Sequence, residues 1–330
     1  MPVNDVSTIP ANGRPPTAAE AEPSSRWGYR SYRDHLAARF PGLCVRKLCL
    51  DAGFSCPNID GTVARGGCTY CSNRGFVPGG SSRRIDLRGQ WDAGRAWLRH
   101  RYRRVDAFIA YFQAYTNTHA SLDRLRELYD PLPTSLPECV GVSISTRPDC
   151  LPDPALDYLA LLARRTWLTV EIGLQSDRDA VLAAFNRGHG VADFRDAVAR
   201  AAERGFELCA HVMLGCPGEG DDAPERLGDL LGSLPVSTVK IHNLHVMRGT
   251  ALAQVFRAGQ LVVPDQAHWL DLVARCLTRL RPDQAAQRVI ADAPRRLLLS
   301  DPWCRDKQGF LRVLRPKLQQ RAALQGSAFR

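Results

Sequence analysis

The stretch Cys56-Pro-Asn-Ile-Asp-Gly-Thr-Val-Ala-Arg-Gly-Gly-Cys68-Thr-Tyr-Cys71 sets three cysteines at C-x11-C-x2-C spacing. Turn formers fill the gap: Pro57, Asn58, Asp60, Gly61, Gly66 and Gly67. Such residues favour positive φ and tight bends, so the stretch reads as a loop. A loop can wrap several thiolates around one centre, whereas a strand would send neighbouring side chains to opposite faces. The C-x2-C pair is the usual pincer for a metal or a cluster.

Three thiolates are one short of a closed site. Structural zinc normally takes four protein ligands, while a site that does chemistry keeps a position open. An iron–sulfur cluster held by three cysteines would leave one iron free for a substrate or cofactor. The loop alone leaves three readings open: that cluster, a zinc knuckle completed by Cys49 or Cys44, and cysteines that hold no metal.

Working outward, 330 residues can bury a sizeable core as one large α/β domain or two smaller ones. The apolar content of 45% and charged content of 24% are those of a soluble globular protein. No apolar run reaches the length of about 18 residues that a membrane span needs. The N-terminus lacks the blocks of a signal peptide, and eleven cysteines without one point to the reducing cytoplasm. Net charge is +10, carried by 40 arginines and only 4 lysines. That charge permits affinity for RNA or another polyanion, although GC-rich coding would give the same bias.

Residues 1–26 are rich in Pro, Ala, Ser and Thr without an apolar period, and read as a disordered tail. Residues 27–40 are aromatic and basic, suited to packing against the domain. Strands then alternate with helices. The strands are read at 45–50, 107–115, 140–145, 167–174, 207–214 and 239–244. A helix at 86–104 shows an outer stripe of Arg88, Arg95, Arg99 and Arg103, which reads as a solvated face before it reads as a phosphate grip. Asp153 followed by Pro154 reads as an N-cap with proline at N1. Each strand feeding a helix implies a parallel sheet, and no GxGxxG follows a strand, so a barrel or partial barrel is favoured over a dinucleotide fold. Its chemistry belongs on the loops after the strand C-termini, where the cysteine loop falls.

Polar residues gather at those ends: Gln113, Tyr115, Thr116 and Asn117; Ser145-Thr-Arg-Pro-Asp149; Glu171 and Gln175; His211; and Lys240, His242 and His245. Such a set could hold a sugar, an amino-acid end and a base. Cys150, Cys216 and Cys304 fall near loops, where one could serve as a hydrogen donor or a second-site ligand, although a free cysteine behaves mostly as a small buried hydrophobe.

The cysteine loop, TRPD (146–149), EIGLQS (171–176), NRGH (186–189), GCPGEG (215–220), KIHNLHVMRGT (240–250), PWC (302–304) and the terminal QGSAF together resemble radical S-adenosylmethionine (SAM) enzymes. The resemblance is to the YhcC-type group, with the RNA-modifying catalytic subunit of Elongator as a more distant relative. It implies a partial (β/α)6 TIM-like barrel over residues 27–255 with a C-terminal extension at 256–330. It implies a 4Fe-4S cluster on Cys56, Cys68 and Cys71, whose open iron chelates SAM. Reductive cleavage then yields a 5′-deoxyadenosyl radical. Candidate cofactor contacts are Tyr70, Gln113, Arg147, Glu171, Gln175, Met213 and Gly215. Two features depart from the commonest pattern: the cluster cysteines are usually spaced C-x3-C-x2-C, and no GGE follows the second strand, so 113–116 would take over the methionine amino group. Expected partners are an electron donor such as flavodoxin or ferredoxin and tRNA as substrate, with no membrane. A protein or small-metabolite substrate, or a zinc-stapled RNA-binding module without enzyme activity, are the alternatives.

Overall fold

The computed structural model describes residues 27–72, 86–291, 293–300, 302–320 and 324–330; the expected tail at 1–26 lies outside them. Seven strands run parallel and in sequence order: β1 Val45–Leu50, β2 Ala107–Phe112, β3 Cys139–Thr146, β4 Trp167–Gln175, β5 Glu207–Leu214, β6 Thr238–Asn243 and β7 Ala285–Arg288. Helices occupy the crossovers. The sheet is curled. In a flat sheet β1 and β7 would stand about 29 Å apart, yet Lys47 Nζ on β1 donates to Gln287 Oε1 on β7 at 2.8 Å. The protein is thus an α/β half-barrel of the partial TIM type, as expected, with one strand beyond the six foreseen. β7 is only four residues long with no apolar run, which is why its pattern is silent in the sequence.

Burial explains the strands. All six residues of β2 are buried, and β3 to β6 are nearly so, the continuous pattern of strands covered on both faces. Strand β2 is shorter than read from the sequence. It ends at Phe112, and the chain turns away through Tyr115 at φ 66°. The side chain of Asn117 staples that turn by donating to the carbonyls of Phe112, Ala114 and Ser145.

The basic helix Leu87–Arg101 is capped by Asp86, which accepts from the Gly89 amide. Its arginine stripe is largely neutralised at home: Arg88 pairs with Asp92, while Arg95 and Arg99 both reach Glu138. At 153–163 the cap is Pro152 rather than Asp153. Asp153 instead receives Arg200 and Arg204 from the next helix but one.

The foot of the half-barrel is plugged by helix Tyr32–Arg39, whose capping box joins Ser31 and Asp34. His35 meets Glu207 at 2.8 Å, and Phe40 packs edge-on to Trp167. The aromatic N-terminal segment therefore packs at the end opposite the cysteines. The terminal motif also has a structural use. Gln325 accepts from the Arg30 amide and donates to the carbonyls of Arg281 and Gln284, clamping the start of the domain to β7's approach. In the PWC segment, Trp303 stacks on Phe310 and Cys304 is buried.

Gly141 on β3 lies against Trp167 on β4, its register partner. A Cβ there would stand 2.6 Å from the indole and 2.9 Å from the Trp167 carbonyl oxygen. Backbone cannot retreat as a flexible side chain can, so Gly141→Ala is expected to lower stability by about 1–3 kcal/mol. A urea midpoint equal to wild type would contradict this packing.

Candidate cluster and cofactor site

A cavity of roughly 200 Å³ opens at the C-terminal end of the strands. Cys56, Cys68 and Cys71 line one side of it, together with Tyr70, Gln113, Arg147, Gln175 and Met213. The long loop is shaped by its own backbone: the amides of Ile59 and Asp60 return to the Cys56 carbonyl, and the Cys71 amide to that of Cys68. The NRGH segment straps it down. Asn58 Nδ2 donates to the carbonyls of Asn186 and Arg187 at 2.5 and 3.0 Å, and Asn186 Nδ2 donates to that of Gly67 at 2.9 Å. Gly188, at φ +73°, makes room for this: a Cβ would stand 2.7 Å from Val63 and 2.9 Å from Asn58.

Two donors face a sulfur. Arg187 Nη1 lies 3.7 Å and Asn58 Nδ2 3.5 Å from Cys68 Sγ. Such N–H groups tune and hold a thiolate. Without that balance burial governs: it pushes the Cys71 thiol up to about 12, with Cys68 and Cys56 adding to it and Arg187 opposing. The loop thiols are not all within 4.8 Å of one another, unlike Glu171, Cys209 and His211. In a tetrahedral zinc cage sulfurs stand about 3.8 Å apart. Neither proposed fourth zinc ligand is at hand. Cys44 precedes β1, at the far end of a strand roughly 20 Å long, where its amide is held by Asp106. Cys49 is half-buried beside the barrel's charged interior, where Lys240, Arg288 and Lys47 oppose the desolvation that raises its thiol. The donor set fits a cluster with an open side.

The neighbouring wall is polar and strained. Arg147 is 2% exposed; its Nε and Nη2 clasp Asp149 at 2.9 and 2.7 Å, while Nη1 is buried with no partner. Gln175 and Tyr115 sit at φ 80° and 66°, costly for side chains of this size and typical of sites that aim a group. The register of β4 against β5 shifts between Gly173 and Gln175, at the end of the strand. Tyr70 meets Phe185 edge-on at 5.1 Å.

Glu171 and Gly215 are not on the cavity wall. Gly215 is under Pro264, where a Cβ would stand 2.4 Å from it. Glu171 lies beneath the floor, fully buried, and accepts from Lys47, Lys240, Ser143 at 2.8 Å, Ser145 at 3.1 Å and His211 at 2.6 Å. Burial alone would raise its carboxyl, but Lys240, Lys47 and His211 hold it well below the usual carboxylate range. Lys240, drawn down to about 8 by burial against the pull of Glu171, also donates to Tyr111 Oη at 2.7 Å. Two ammonium groups already serve that carboxylate, and burial pushes the Cys209 thiol up to about 12, so Glu171, Cys209 and His211 make a poor cation site.

The chain matches the Radical SAM superfamily over residues 60–231 and the Radical SAM C-terminal domain over 236–320. It is 35% identical over 269 residues to Protein YhcC of Escherichia coli, covering 81% of this chain and 84% of that protein. The chain belongs to the radical SAM superfamily. As a radical SAM enzyme it uses SAM and a 4Fe-4S cluster. It is also 31% identical to Elongator complex protein 3 of Homo sapiens over 170 residues, which are 50% of this chain and 30% of that one. The solved Elp3 of the archaeon Methanocaldococcus infernus shares the fold, with TM-score 0.62 at 16% identity over 84% of this chain and 63% of that one. The non-enzymatic zinc module is thereby set aside. Among the described residues no helix is long and apolar enough to cross a membrane.

Several site residues went unassigned in the sequence. Arg187 lay inside the NRGH motif, whose proximity to the cysteine loop no local pattern reveals. Tyr111 and Arg288 also line the cavity, one hidden in an apolar strand and the other in β7.

Removing the charge of Glu171 leaves two buried ammonium groups facing each other. Glu171→Gln is expected to cost about 3–5 kcal/mol. The double variant with Lys240→Met should lose less than the two single losses combined, by about 0.5–3 kcal/mol. Additive losses in urea unfolding would show that the two groups are not coupled.

Proposed function

We propose that this radical SAM enzyme modifies tRNA, with a flavodoxin or ferredoxin as its electron donor. The supporting observation is the region shared with Elongator complex protein 3, which spans half of this chain, joined to the net charge of +10. In this reading Cys56, Cys68 and Cys71 hold the 4Fe-4S cluster, with Asn58 and Arg187 donating to the Cys68 sulfur. The cluster supplies the electron that cleaves SAM reductively. The unpartnered Arg147 Nη1 receives a carboxylate of the cofactor, because a buried guanidinium donor without an acceptor is costly. Gln113 and Gln175, both on the cavity wall, supply amide groups to the amino-acid end and the ribose. Tyr70 and Met213 provide the apolar surface for the adenine. Their packing, with that of Tyr115 and Met247, keeps water from the reacting groups. Glu171 acts at a distance, by fixing Lys240 under the floor and, through it and directly, Tyr111 and His211 on the cavity wall.

Anaerobic reconstitution with iron and sulfide is expected to give a brown protein that releases 5′-deoxyadenosine under reduction. Cys56→Ala, Cys68→Ala and Cys71→Ala should each abolish both colour and release. A colourless protein with one zinc would overturn the cluster assignment. The substrate is tested separately: tRNA from a deletion strain should lack a modified nucleoside found in its parent, and an unchanged nucleoside profile would overturn tRNA.

Arg147→Gln is expected to weaken SAM binding by roughly tenfold or more, the worth of a charged hydrogen bond. Equilibrium dialysis of the reconstituted protein reads this directly, and wild-type affinity would remove Arg147 from the cofactor site.

A further inference from the structure

One part of the wall of the same cavity carries positive charge with no use in the cofactor reading. It is built from the ends of β6 and β7. Lys240 and Arg288 are register partners on these neighbouring strands. His242 follows Lys240 by two residues and so shares its face. Both His242 and Arg288 line the cavity.

Among the described residues neither side chain is satisfied. Arg288 is half-buried, and no hydrogen bond or ion pair among them reaches its guanidinium. His242 Nε2 is buried without a partner among them, its ring 5.6 Å from that of His211. Among the described residues the local charges do not cancel. Lys47, Lys240 and Arg288 bring three positive charges, and Glu171 answers one of them. Glu207, the next carboxylate in the barrel, is at its foot and held by His35 and Trp167. Arg147 and Arg187 serve the cysteine side. An excess of two positive charges at the wall of a partly enclosed cavity calls for an anion.

We infer that Arg288 and His242, backed by Lys240, form a phosphate-binding subsite for the substrate in the cavity that the cluster cysteines also line. A carboxylate would meet half of the excess, whereas a phosphate monoester carries about −1.5 to −2 at neutral pH. A guanidinium with free donors is suited to its oxygens, and an unpaired imidazole N–H adds one more. Two phosphodiester groups of a nucleic-acid backbone would meet the excess equally. The subsite stands whichever molecule carries the phosphate, and its failure would leave the cluster and SAM assignments untouched.

Phosphorus NMR titration of the reconstituted protein tests it, with methyl phosphate as the monoester probe and dimethyl phosphate as the diester probe. At least one should bind. Arg288→Gln should weaken it by roughly tenfold or more, and Arg288→Lys should recover part of the loss by restoring charge. His242→Phe should weaken it in the same direction. SAM affinity and iron content should stay at wild-type values in all three variants, and the urea midpoint of Arg288→Gln should not fall, since one uncompensated charge is removed. A monoester preference identifies a nucleotide or phosphorylated metabolite as the source, and a diester preference a nucleic-acid backbone. Probe binding that is unchanged in Arg288→Gln and His242→Phe overturns the subsite. So does acetate binding as tightly as either phosphate, or a loss of SAM affinity matching the loss of phosphate.

Discussion

A single carboxylate, that of Glu171, ties the interior of the half-barrel together. Its oxygens receive groups from β1 (Lys47), β3 (Ser143 and Ser145), β5 (His211) and β6 (Lys240). A parallel sheet with an open edge has no closing ladder to set its curvature, so its inner side chains must do so. An apolar filling would be adaptable. A buried ion centre is not, because any strand that drifts leaves a charge unpaired in a medium of low polarity. The arrangement therefore gains positional definition where an apolar filling would give greater stability. The cluster loop and the cavity wall both grow from strand ends whose spacing this centre sets.

The same centre explains what the sequence could show and what it could not. Continuous apolar runs such as Ala107–Phe112 and Trp167–Leu174 announce strands covered on both faces, and their order implies the parallel arrangement. The cysteine loop was legible because its spacing and glycines are local. Glu171, by contrast, was legible as a polar residue inside a strand but not as a residue below the floor. Depth along a barrel depends on strand register, and register is set by neighbours far away in sequence. The read-through of β2 to Tyr115 has a similar cause. Ala114 and Tyr115 have strand-like composition, but the Asn117 staple and the positive φ of Tyr115 override it.

Arginine illustrates the same limit on the surface. The stripe on Leu87–Arg101 looks like a phosphate grip in one dimension, yet Asp92 and Glu138 consume most of it. Arg288 has no stripe and no motif around it, yet among the described residues its guanidinium is left without an ion pair inside the cavity. Counting positive residues along a chain therefore says little about where an anion would settle. The relevant quantity is the local charge left after folding has made its pairs.

The two cavity walls consequently do different electrostatic work. On the cysteine side, Arg187 and Asn58 face sulfur and Arg147 is already bidentate to Asp149, so among the described residues only Arg147 Nη1 and Arg187 Nε of these guanidinium groups are left without an acceptor. On the β6–β7 side the cations outnumber the one carboxylate beneath them. A zwitterionic amino-acid group suits the first wall, since it needs a donor and acceptors in balance. A ligand with net negative charge suits the second. Holding unlike partners against unlike walls fixes their relative orientation without a contact between them, and orientation is the protein's main contribution when the cofactor carries the difficult chemistry.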